Sequence, residues 1–214
     1  MTSSLDDPQV RRVLEGMHSA ADSNDPPLLA QVRGKSGAAR TTVLAEAFIP
    51  VDRDAGRLLY TLARSSAPGT FVEFGTSFGI STIYLAAAVR DRGAGRVITT
   101  ELHSGKAERA RGYIAAAGLS DLVDLRVGNA LETVLDVHSG ISLAFLDGWK
   151  ELYLPFLSVI EHALMPGALV VADDLDLFPD ALRGYLAYVR DPAHGYVSVT
   201  LPVGDAMELS VRAR

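Results

Sequence analysis

From Thr70 onward, apolar runs of strand length alternate with helical patterns, and this alternation limits the fold more tightly than any other feature of the chain. The strand-like runs lie at 70–74, 96–100, 122–127, 141–146 and 168–172. Apolar residues at helical spacing fill 80–90, 106–117, 130–137 and 152–164. Strand, helix, strand, helix is the signature of right-handed crossovers and a parallel sheet. One more helix is expected over 179–189. Two further runs, 196–201 and 207–211, flank Pro202-Val203-Gly204-Asp205, a tight turn, so they should pair antiparallel. The expectation is a Rossmann-like α/β fold: a seven-stranded, mostly parallel sheet with a C-terminal antiparallel hairpin.

Residues 1–67 have a different texture, with helical patterns and no convincing strand. Val10, Val13, Leu14 and Met17 recur at helical spacing, and Asp25-Pro26-Pro27 is expected to break that helix. A polar stretch over 34–39 reads as a loop. A second helix is expected over 50–67, with Leu58, Leu59 and Leu62 facing inward. The expected organisation is a helical extension, 1–67, serving substrate binding or self-association, followed by a catalytic domain, 68–214.

Charge and composition exclude several function classes. Residues 1–69 hold eight basic and eight acidic side chains, and residues 70–214 hold twelve and eighteen, for a net charge of −6. A nucleic-acid phosphate footprint needs a basic face, so no nucleic-acid partner is expected. There are no cysteines, which excludes disulfides, thiolate metal sites and a cysteine nucleophile. The N-terminus is polar, and no apolar run reaches ~18 residues. A cytoplasmic protein without a membrane partner is expected.

The segment Phe71-Val72-Glu73-Phe74-Gly75-Thr76-Ser77-Phe78-Gly79-Ile80-Ser81 reads as strand, glycine loop, helix. Gly75 and Gly79 let backbone approach a ligand closely, and the helix N-terminus offers N–H groups to an anion. A dinucleotide fingerprint would require glycine where Ser77 and Ile80 stand, which argues against NAD. A bare strand–helix turn is the alternative. Glu101 ends the second strand, 22 residues beyond Gly79, where doubly wound folds grip a ribose. The strand over 143–146 leads into Asp147-Gly148-Trp149-Lys150, and the strand over 169–172 into Asp173-Asp174. Three carboxylates emerging at one sheet edge repel unless a cation neutralises them, most simply Mg²⁺ bound by oxygen. Lys150 lies within reach of the same site as a general base, its alternative being a pair with Glu151 or solvent. Trp149, the only tryptophan, packs on an adenine, walls a substrate pocket or belongs to the core.

Taken together, Glu73-Phe-Gly-Thr-Ser-Phe-Gly-Ile-Ser81, Glu101, Val127-Gly-Asn-Ala130, Leu146-Asp-Gly-Trp-Lys150, Tyr153, Ala172-Asp-Asp174 and the closing Leu201-Pro-Val-Gly-Asp205 resemble the catechol and caffeoyl-CoA O-methyltransferases. The resemblance covers roughly 48–213. It implies a class I methyltransferase fold with S-adenosylmethionine as cofactor. It implies Glu73, Gly75 and Ser81 around the methionine part, Glu101 on the ribose and Asn129 and Ala130 near the adenine, with Thr76, Asp147 and Trp149 also among the cofactor contacts. Asp147, Asp173 and Asp174 fall on its metal positions, and Lys150 on its base. It further implies a homodimer. Two positions depart from the family: Asp174 replaces an Asn ligand, and Gly148 stands where the catechol enzymes carry His. The function expected is metal-dependent methyl transfer to a catechol-like hydroxyl of a small molecule. The alternatives are a metal-independent methyltransferase acting on a sugar hydroxyl or an amine, and a cofactor-binding protein without catalysis.

Overall fold

The computed structural model describes residues 3–32 and 42–213. The loop expected over 34–39 lies outside them. Helix α1 (Pro8–Val32) and helix α2 (Arg53–Ser65) precede an alternating series: β1 (Thr70–Phe74), α3 (Ile80–Arg92), β2 (Arg96–Glu101), α4 (Ser104–Ala116), β3 (Val123–Val127), α5 (Ala130–Thr133), β4 (Ile141–Leu146), α6 (Tyr153–Ile160), β5 (Leu164–Ala172) and α7 (Pro179–Arg190). Strands β6 (Tyr196–Leu201) and β7 (Met207–Arg212) close the chain. The seven strands form one sheet in the order β3-β2-β1-β4-β5-β7-β6. The first five are parallel, and β7 lies antiparallel between β5 and β6.

Strand alternation sorts side chains onto two faces. Along β4, Leu143 and Phe145 point to one side and Ala144 and Leu146 to the other. The first side is covered by α1 to α4, where Val10, Met17, Leu59, Ile83 and Ile114 pack against Phe71, Val97 and Phe145. The second is covered by α5 to α7, where Phe156, Ile160, Leu182 and Tyr185 pack against Val72, Ala144 and Val170. Because α1 and α2 share a cluster with the strands, their burial is continuous with that of the sheet.

Two helices depart from expectation. α1 continues through Pro26 and Pro27 instead of breaking there. The buried Asp25 anchors this turn: its carboxylate accepts from Phe48 N at 2.9 Å and Ile49 N at 2.7 Å, while Asn24 donates to Glu46 O at 2.9 Å. Tertiary bonds thus hold a turn that proline weakens. Conversely, α5 stops at Thr133 although the helical spacing runs to Val137. Arg126 Nη1 donates to Thr133 O at 2.6 Å, taking the carbonyl that the next helical N–H would need, and Val137 N turns back to Val134 O.

Candidate active site

The chain leaves β1 on one side for β2 and β3, then returns to place β4 on the other side. A crevice opens beyond the carboxyl ends of strands at such a switch point. Here it is a cavity of ≈ 300 Å³, reached by Gly75, Ser77, Glu101 and Asn129 from one side and by Asp147, Trp149, Lys150 and Asp174 from the other.

The glycine loop fits its place sterically. Gly75 has φ 102°, and a Cβ there would lie 2.6 Å from Asp147 O, so only glycine lets the two strand exits run side by side. Gly79 caps α3 at φ 93° with no side-chain cap. Between them Ser77 takes φ 50°, a left-handed conformation held by three bonds. Its N donates to Glu101 Oε2 at 2.8 Å, its Oγ donates to Phe48 O at 2.6 Å, and the same Oγ accepts from Lys106 Nζ at 3.1 Å. Glu101 Oε1 also accepts from His103 N at 2.8 Å, which fixes the carboxylate at the cavity wall.

Glu73 lies beneath this loop, fully buried, and does not line the cavity. Its Oε2 accepts from Thr82 and from Thr99 Oγ1 at 2.6 Å, and Thr99 in turn meets Thr76 Oγ1 at 2.6 Å. Among the described residues Glu73 Oε1 has no partner in hydrogen-bond geometry, with Ser81 the neighbouring hydroxyl. Burial pushes this carboxyl up to about 7 against the pull of the neighbouring hydroxyls. Ser81 is buried in the first turn of α3, alongside Glu73 and also behind the cavity wall. Thr76, Ser81 and Glu73 therefore support the loop, whereas Gly75, Glu101, Asn129, Ala130, Asp147 and Trp149 border the cavity itself. Trp149 is 37% exposed and is no core residue.

At the other end, β4 and β5 deliver the acidic cluster. One carboxylate oxygen each from Asp147, Asp173 and Asp174 lies within 4.8 Å of the others. Asp174 holds φ 65°, a conformation that Asp and Asn tolerate better than other side chains. Lys150 is almost fully buried among them: Nζ lies 2.7 Å from Asp174 Oδ2 and 3.1 Å from Asp147 Oδ1, and donates to Tyr153 Oη at 2.8 Å. Tyr153 Oη donates onward to Asp173 O at 3.3 Å. Burial alone would lower the lysine pKa, but Asp147 and Asp174 more than offset it and the net direction is upward. Asp147 and Asp173 are both raised, first by burial and then, against the pull of Lys150, by the neighbouring carboxylates. An all-oxygen donor set, crowded and short of positive charge, is the chemistry that a hard divalent cation satisfies.

Three features of the cavity were not read from the sequence. Lys106 lines the cavity and is 7% exposed. Its tell was available: a cation in the first turn of a helix opposes the helix dipole. The segment carrying Leu44, Ala45 and Ile49 also lines the cavity, tied down by Asp25 and Ser77. No local pattern marks those residues. The third feature explains Gly148. A Cβ there would meet the Phe74 ring at 2.5 Å, so the space a larger side chain would need is filled by Phe74.

Comparison with known proteins places this geometry among relatives. A family model described as a methyltransferase domain matches residues 72–175. The chain is 34% identical over 152 residues to a catechol O-methyltransferase of Mycobacterium tuberculosis, a match covering 71% of this chain and 66% of that protein, just under two thirds of its length. It is 30% identical over 148 residues to the catechol O-methyltransferase of Sus scrofa, covering 65% of this chain and 77% of that one. Among solved structures it is similar to the O-methyltransferase TomG of Streptomyces achromogenes, involved in tomaymycin synthesis and crystallised with S-adenosylmethionine. The TM-score is 0.67 at 26% identity, covering 86% of this chain and 90% of that one.

Proposed function

Since this chain belongs to the class I O-methyltransferases of the catechol type, we propose that it transfers a methyl group from S-adenosylmethionine to one hydroxyl of a catechol-like small molecule, with a divalent metal required. The observation that carries this reading is the meeting, in one cavity, of a ribose-type acid at the end of β2 with a lysine–carboxylate cluster at the ends of β4 and β5.

Glu101 binds the ribose hydroxyls of the methyl donor, its two oxygens already oriented by Ser77 N and His103 N and each still holding a lone pair. Asn129 and Ala130 border the adenine end. Trp149 and Phe178 wall the acceptor end. Asp147, Asp173 and Asp174 would hold a divalent cation, which when bound supplies positive charge that favours ionisation of an acceptor hydroxyl. Lys150 Nζ takes the proton. It does so only once the charge of Asp147 and Asp174 is engaged elsewhere, because those two carboxylates otherwise keep it protonated. The carbon–sulfur bond breaks as the carbon–oxygen bond forms, and in-line positioning of the two partners supplies much of the rate.

The test is turnover with S-adenosylmethionine and a panel of catechols, followed by mass spectrometry with and without chelator. A methylated product is expected that EDTA abolishes and Mg²⁺ restores. Full turnover in EDTA would instead favour a metal-independent methyltransferase acting on a sugar hydroxyl or an amine. Self-association as a dimer belongs to the same proposal, and a monomer mass by light scattering at micromolar concentration refutes it.

A further inference from the structure

Lys106 is a buried ammonium that, among the described residues, makes no ion pair. It sits in the first turn of α4, 7% exposed, with Nζ bonded to Ser77 Oγ at 3.1 Å and lying 5.2 Å from the centre of the Phe78 ring. Among the described residues no carboxylate lies within 4.0 Å of it, although Glu101, Asp25 and Asp147 act on it through space. An ammonium has three donors, and among the described residues one of them is engaged, by Ser77. Burying a cation without an anion is costly, and the α4 N-terminus adds a second positive partial charge at the same place. Burial lowers the lysine pKa, as expected of a cation waiting for a partner. The side chain borders the cavity beside Ser77.

We propose that Lys106 is the anion-binding contact of the cavity and that its partner is the carboxylate of the methyl donor. This rests on S-adenosylmethionine being the donor, as proposed above. That molecule carries a single anionic group, its amino-acid carboxylate, beside two cationic ones. A ribose hydroxyl is neutral and finds a better partner in Glu101. The contact also connects the ligand to the segment before α2 that lines the cavity. Ser77 Oγ accepts from Lys106 and donates to Phe48 O, and Phe48 adjoins Ile49 on the cavity wall. An anion on Lys106 therefore engages a chain of polar groups that ends at Phe48, next to Ile49 of the cavity wall.

The test is calorimetric binding of S-adenosylhomocysteine and of its decarboxylated analogue to wild type, Lys106→Met and Lys106→Arg. Lys106→Met is expected to weaken S-adenosylhomocysteine by about tenfold to a hundredfold, the usual scale of a charge-assisted hydrogen bond. The decarboxylated analogue should bind wild type and Lys106→Met alike, and Lys106→Arg should retain most of the affinity. If Lys106→Met does not fold, Lys106→Gln keeps the polar tip and gives the same comparison. Equal weakening of both ligands, or of neither, overturns the assignment. So does unchanged donor affinity combined with a raised KM for a carboxylate-bearing catechol alone, which would give the lysine to the acceptor. Wild type that binds neither ligand is a different result: it removes the donor itself, and the proposed function with it.

Discussion

At the scale of single residues, the site is defined by how few charges are left to water. Lys150 is the sharpest case, packed between Asp147 and Asp174 and held by Tyr153. Lys150→Ala should lower kcat by ~10²–10⁴-fold, the range of a lost acid–base group, and leave donor affinity by calorimetry unchanged. A near-normal kcat would make the lysine structural. Glu101→Ala should weaken S-adenosylhomocysteine about tenfold to a hundredfold, and unchanged binding would remove Glu101 from the donor site. Asp174→Asn keeps the shape of the side chain and suits the left-handed backbone at that position. It should fold normally and retain turnover while Mg²⁺ affinity falls. Mg²⁺ affinity in wild type should also depend on pH. Burial pushes Asp173 up to about 8 and Asp147 to about 6, and both must be ionised to bind a cation. Calorimetric titration should therefore find tighter binding at pH 8 than at pH 6, with protons released, and a flat profile would contradict it.

At the scale of elements, β1 and β4 matter most, because their exits run side by side. The contact between Gly148 and Phe74 predicts a coupled pair. Gly148→Ala should destabilise by about 1–3 kcal/mol through overpacking, and Phe74→Leu should relieve much of that cost, which a double-mutant cycle of denaturant melts would show. Additive effects would mean that the ring moves aside freely. The elements also show what the sequence made legible. Strand β4 could be placed from 141 to 146 because every residue in it is buried, leaving an apolar run that only Ser142 interrupts. The acids at the ends of β4 and β5 followed from the same logic, since a polar residue that ends a buried strand must emerge at the sheet edge. The course of α1 past Pro26 and the early end of α5 were illegible for the opposite reason. Asp25 and Arg126 decide them through partners 23 and 7 residues away, and helical spacing carries no trace of such bonds. Lys106 carried a local tell as a cation at a helix start, but its burial beside Ser77 is a contact between distant segments that no local window contains.

At the scale of the whole molecule, stability and function share buried ionisable groups. Glu73 has a folded-state pKa near 7 against an ordinary value of 4.5. In the window between those values the folded protein keeps a proton that the unfolded chain has lost. The stability that Glu73 contributes is thus fully present below about pH 4.5 and is lost as pH rises through about 7. Glu73→Gln should flatten that decline in thermal melts taken across the window, and an unchanged slope would show that Glu73 is not its source. The N-terminal helix is equally part of the whole. Val10, Met17 and Ala21 are at most 2% exposed, packed in one cluster with Ile83. Removing residues 1–32 should expose that face, detected as dye binding and loss of near-UV dichroism, whereas a well-packed truncated protein would mean the sheet closes without it.

The line between β1 and β4, described above as a change in the direction of winding, is also a line of inheritance. Ser77, Glu101, Lys106 and Asn129 come from one side of it, and Lys150, Asp173 and Asp174 from the other. Few of the groups that would recognise the donor share a segment with those that would handle the acceptor. Substitutions at Glu151, Leu152 and Phe178, which line the cavity outside the lysine–carboxylate cluster, should therefore explore new acceptors while leaving the donor's seat in place. Such an enzyme can change its customers while keeping its reagent.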